Sequence, residues 1–125
     1  MIKPGEIQVK NKEVLRSLLE KDYHPLLITI SCEIAQEFGI FITEAWRKPK
    51  HPGDIHSTKP GRALDLRVRV YGSLEQAENI KDWINQKWQY DFERPEMKVA
   101  IIHDVGGGKH FHVQVSQATR RTGKL

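Results

Sequence analysis

The sequence predicts an α+β fold in which helices flank a mainly antiparallel sheet. Three observations lead to it. Apolar residues recur at helical spacing in three segments, and they alternate with polar ones in three others. Hairpin-like connections join these segments, with no repeated strand–helix–strand unit. At 125 residues the chain has the length of one ordinary domain, residues 1–125, long enough to bury a real core. No internal repeat, low-complexity run or linker divides it.

Asn11 to Lys21 reads as a short amphipathic helix with Val14, Leu15, Leu18 and Leu19 on one side. A second helix begins at Pro25, whose fixed φ and missing N–H suit a first helical position, and it stops at Gly39. Leu26, Leu27, Ile30, Ile34 and Phe38 form its core stripe. The only cysteine, Cys32, lies within it; no intrachain disulfide is possible, and a buried, inert thiol is expected. Ile40 to Trp46 alternates as a strand, with Trp46 expected in the core. Lys48 to Gly61 holds three prolines and two glycines and forms a loop.

Ala63 to Val70 is the clearest strand, with Leu64, Leu66, Val68 and Val70 on one face. Asp65, Arg67 and Arg69 point the other way. Ser73 with Gln76 makes a capping box for a helix that runs to about Tyr90. Leu74, Ala77, Ile80 and Ile84 line it, with Trp83 or Trp88 nearby. Lys98 to Asp104 is a strand, VGGGK the flexible turn, and His110 to Val115 the last strand. There Phe111, Val113 and Val115 share the apolar face, while His110, His112 and Gln114 share the polar one.

Hydrophobic residues make up 38% of the chain and charges of both signs are interspersed, which predicts a compact, soluble protein, expected as a monomer. A net charge of +4 favours anionic polymers in general, a bacterial cell wall included. The basic cluster ATRRTGKL has no interleaved aromatic residues to stack bases, so no nucleic-acid partner is expected and residues 119–125 read as a frayed, solvated tail. The start, MIKPGEIQVK, lacks the apolar core of a signal peptide, and no apolar run nears the ~20 residues of a membrane span. The expectation is synthesis in the cytoplasm without membrane insertion.

The chemistry-bearing residues are His56 and Asp65, then His110 and His112 in HFHVQV. A catalytic zinc site keeps three nitrogen or oxygen ligands and leaves one position open. His56, Asp65 and His112 supply such a set. Strand parity puts Asp65 and both late histidines on polar faces, which become one open site if the strands share a sheet. His24 and His51 read as surface residues, and His103 as a neighbour of the pocket at most.

TEAWRKPKHPGDIHSTKPGRALDLRV followed by HFHVQV resembles the LAS metallopeptidases. These include D-Ala-D-Ala carboxypeptidases, phage endolysins and the penicillin-insensitive murein endopeptidase, and they share a fold with the hedgehog signalling domain. The family signature is a His, then Gly-x-Ala-x-Asp, then a distant His preceded by a catalytic residue. Here His56, then Gly61, Ala63 and Asp65, then His112 match it, over roughly Thr43 to Gln114. Three positions depart from the pattern. Four residues separate His56 from Gly61 where the family has two. Asp54 stands where the family has serine, and Lys109 where many members carry glutamate. His110 instead gives the His-x-His form of the murein endopeptidase branch.

The resemblance implies a hedgehog/DD-peptidase-like fold with one Zn2+ per chain on His56, Asp65 and His112. It implies His110 as the catalytic residue, which accepts the water proton or stabilises the tetrahedral oxyanion, and Arg47 as the group that binds a substrate carboxylate or the developing oxyanion. The implied activity is hydrolysis of peptide bonds in peptidoglycan stems, by a carboxypeptidase or endopeptidase. An enzyme without a leader would reach the wall as a phage-type lysin does, through a membrane pore. The alternative is a non-catalytic, zinc-stabilised binding module on the same fold.

Overall fold

The computed structural model describes residues 1–104 and 108–123, so most of the expected VGGGK turn lies outside the described residues. In chain order the elements are β1 (Ile7–Val9), α1 (Lys12–Glu20), α2 (Pro25–Phe38), β2 (Ile40–Glu44), β3 (Ala63–Arg67), α3 (Leu74–Lys87), β4 (Trp88–Gln89), β5 (Ala100–Asp104), β6 (Lys109–Gln114) and β7 (Arg120–Arg121). The architecture is α+β: three helices and a mixed five-stranded sheet in the order β1-β2-β3-β6-β5. β2, β3, β6 and β5 pair antiparallel, and β1 runs parallel to β2.

Local chemistry starts each helix. The Asn11 side chain accepts the Val14 N–H at 3.0 Å, His24 Nδ1 accepts that of Leu26 at 3.1 Å, and Ser73 Oγ accepts that of Gln76 at 3.1 Å. Strand parity then sorts the sheet into two faces. Ile40, Ile42, Leu64, Leu66, Ala100, Phe111 and Val113 are buried in one core cluster with Leu27, Ile30 and Ile34 of α2 and Ala77, Ile80 and Ile84 of α3. Each such large side chain contributes roughly 1.5–3 kcal/mol by leaving water. The helices therefore cover this face, and the other is left for polar groups.

Register decides which polar groups meet. Asp65 lies opposite His112, and Arg67 opposite His110. On the next strand Ile101 lies opposite His112 and His103 opposite His110. The β2–β3 pairing shifts register between Ile42 and Glu44, an irregularity of the sort that re-aims side chains beside a site. Glycine is required at Gly61, where a Cβ would stand 2.9 Å from the Tyr23 ring. The Gly61 backbone bonds both Asp22 and His24, which fixes the chain just before β3.

Several expectations need correction. The β1 strand was not foreseen, and it makes the sheet mixed. β3 ends at Arg67, and Val68–Tyr71 form a 3₁₀ turn that directs the chain to α3. That helix stops at Lys87, since Trp88 and Gln89 pair with β7. Leu15, Leu19 and Leu74 are exposed: α1 and the first turn of α3 each bury a narrower face than their apolar content suggests. Cys32 is exposed, on the solvent side of α2.

The tail is not frayed over residues 119–123. Thr119 is buried and its hydroxyl donates to the Tyr90 carbonyl at 2.9 Å. Arg121 stacks over Trp88 and bonds Glu33 at 2.6 Å, and Arg120 stacks over Phe92. The aromatic partners are supplied by the segment after α3, distant in sequence from the basic cluster.

Candidate metal centre

His56 comes from the long loop, and the loop is built around Asp54. This carboxylate is buried; it accepts the backbone N–H groups of His56 at 3.0 Å and Lys50 at 3.1 Å. Arg47 adds contacts through Nε and a terminal nitrogen, both 3.3 Å from Asp54 Oδ2. Burial opposes the charge on Asp54, but the two backbone donors and the guanidinium prevail and hold its carboxyl down at about 2. The Ser57 hydroxyl donates to the Arg47 carbonyl at 2.6 Å and closes the loop onto the end of β2.

The His56 ring is 3% exposed. Its Nδ1 is 3.2 Å from the Ala45 carbonyl, an acceptor only, so Nδ1 carries the proton and donates. In the neutral ring Nε2 is thereby left with its lone pair, 3.3 Å from Asp65 Oδ1. On β6, His112 Nδ1 is 2.8 Å from the same carboxylate oxygen. Its Nε2 is 3.1 Å from Gln114 Oε1. The Gln114 amide nitrogen donates to the Lys98 carbonyl at 2.9 Å, so its oxygen is the end turned to His112 and accepts the Nε2 proton. Each imidazole thus has one nitrogen held by a backbone carbonyl or a buried amide and the other aimed at Asp65. This is the outer-shell arrangement that orients metal-bound histidines.

His56, Asp65 and His112 form a cluster whose ligand atoms all lie within 4.8 Å of one another, within reach of one metal ion. Tetrahedral zinc with ligands at 2.0–2.1 Å needs donor atoms about 3.3 Å apart. The His56–Asp65 separation meets that, and the 2.8 Å His112–Asp65 contact would open by about half an ångström. Burial works against the Asp65 charge, yet the facing His112 and His56 rings, which donate to it when both ring nitrogens carry protons, hold the carboxyl well below the usual carboxylate range; a bound metal would take the place of those protons. The aspartate is anionic, as a ligand must be.

The cluster opens into a cavity of about 560 Å³ lined by Lys10, Thr43, Glu44, Arg47, His103 and His110 together with the three ligand residues. His103 and His112 have ring centroids 5.9 Å apart, and His103 and His110 6.3 Å apart, so His103 belongs to the cavity wall with His110. Arg47 lines the cavity as well, with its guanidinium shared between Asp54 and Glu44, the latter at 3.2 Å. Sequence reasoning missed Asp54 and Gln114 as supports. Asp54 was visible only as a departure from a motif, and Gln114 only as an outward polar residue.

Comparison of the chain with protein-family models, with curated proteins and with solved structures finds no match.

Proposed function

We propose that this protein is a zinc-dependent peptidase that hydrolyses peptide bonds in the stem peptides of bacterial peptidoglycan, on a hedgehog/DD-peptidase-like fold. The observation that carries this reading is the convergence of His56 Nε2, Asp65 Oδ1 and His112 Nδ1 beside an open cavity that also presents His110. Two imidazoles and one carboxylate suit zinc, whereas magnesium and calcium favour all-oxygen sets. Zinc, when bound there, supplies a Lewis acid and brings the pKa of water to about 7.

The remaining steps belong to the chain. His110 stands on the same strand face as His112, two residues before it, and in the same cavity. It takes the proton of the attacking water and returns it to the leaving amine, work suited to an imidazole near neutral pH. His103 sits across from it on β5 and contributes a second polar ring to the wall. Arg47 holds the His56 loop through Asp54 and lines the cavity, where we assign it to a substrate carbonyl or carboxylate.

Two substitutions test the reading together. His112→Ala should abolish both zinc binding and hydrolysis of a stem peptide. His110→Ala should keep one zinc per chain by elemental analysis and slow hydrolysis by ~10²–10⁴. Full activity in the His110 variant would remove its assigned role. A zinc-loaded wild type that cleaves no wall peptide would favour the zinc-stabilised binding module instead.

A further inference from the structure

Arg47, the arginine expected to receive a substrate carboxylate, already faces two carboxylates of its own chain, Asp54 and Glu44. Its charge is matched before any substrate arrives. Positive charge without an ion-paired carboxylate lies nearby: Arg67 is on the same sheet face, while Lys109 has the parity of Phe111 and stands opposite Asp104. A second cavity of about 450 Å³ is lined by Lys10, Arg67, Arg69 and Lys109, with no acidic residue among the described residues of its lining. Among the described residues no carboxylate forms an ion pair with any of these four. Lys10, Thr43 and His110 line this cavity and the metal cavity alike, so the two adjoin.

We propose that this basic cavity is a subsite for a free carboxylate of the substrate, placed next to the scissile bond with His110 at the boundary. Arg67 is its best-placed residue. It lies directly opposite His110 in the β3–β6 register, two positions along β3 from Asp65. Its guanidinium rests 4.3 Å over the Phe41 ring, which holds the side chain in one place before binding. A guanidinium so held offers the planar donor pair that a carboxylate accepts, and Lys10 adds a second charge from β1's end of the sheet. The cavity faces solvent, so a substrate extending past the metal reaches it without any rearrangement of the core. Peptidoglycan stems are substrates of this kind, with carboxylates beside the peptide bonds.

The inference rests on the peptidase reading, and its test separates the two. Two synthetic stem peptides differing only in one free carboxylate or its amide are titrated calorimetrically into zinc-loaded protein, and their cleavage is followed in parallel. Wild type should bind the carboxylate form about tenfold more tightly, the effect of one exposed charge-assisted contact. Arg67→Gln and Lys10→Gln should each weaken that preference through Kd and KM, with kcat on the amidated peptide and zinc content unchanged. Arg67→Lys should retain part of it. Equal binding of both peptides by wild type, or an undiminished preference in both Gln variants, overturns the subsite. Should Arg67→Gln weaken both peptides alike, the exposed Lys10→Gln decides. If wild type cleaves neither peptide, the peptidase reading fails while the calorimetric preference still decides the subsite.

Discussion

Gln114 spans two parts of the molecule: its amide nitrogen is bonded to the Lys98 carbonyl and its oxygen to His112 Nε2. Because a side-chain amide has one donor end and one acceptor end, the first bond dictates the second. The proton is thereby placed on Nε2, and Nδ1 is turned to Asp65. Replacing Gln114 by Met keeps the volume and removes the acceptor. We expect the Gln114→Met protein to fold, and its zinc affinity to fall ~10–100-fold in chelator competition, the usual worth of an outer-shell partner. Unchanged affinity would mean that His112 is oriented by Asp65 alone.

At the scale of elements, the loop that carries His56 depends on a single anionic group. The Asp54 carboxyl sits below its ordinary value in the folded protein, at about 2, so it contributes stability that is present above pH ~4 and is lost as the pH falls through about 2. In metal-free protein, Asp54→Asn should lower the unfolding free energy by roughly 2 kcal/mol at pH 6. The gap between variant and wild type should close as the pH approaches 2. A gap that does not change with pH would assign the loss to packing rather than charge.

Elements also show what the sequence can and cannot convey. Helix starts were legible at Asn11, Pro25 and Ser73 because a cap is a local contact between near neighbours. Asp65 and His112 were legible because strand parity and a spaced motif agree on them, and His56, a loop residue, through the motif alone. β1 was not, since three residues become a strand only by pairing with β2, a partner some thirty positions away. The basic tail was misread for the same reason. Trp88, Phe92 and Glu33, which order it, lie far from it in sequence. Gln114 and Asp54 were illegible as supports because an outward polar residue looks the same whether solvated or bonded.

For the whole molecule, the metal would join parts that the core holds only from behind. His56 lies in a loop, and Asp65 and His112 lie on adjacent strands. One ion bound at all three would tie the loop to the sheet and stabilise the folded state alone. With zinc at about 100 times its Kd, the gain is about 2.7 kcal/mol. Chelation should therefore lower Tm by roughly 10 °C for a chain of this size, while His112→Ala should be insensitive to added zinc. A wild-type Tm that does not respond to zinc would show that the cluster does not bind it.

If a zinc site on this sheet cleaves wall peptides, purified peptidoglycan incubated with the zinc-loaded protein, the chelated protein and His112→Ala will show it in the fragments released, identified by mass spectrometry. Fragments with newly hydrolysed stem-peptide bonds and intact glycan chains are expected from the zinc-loaded wild type only. Release of no such fragment by wild type carrying one zinc per chain, or equal release by the His112 variant, would contradict it.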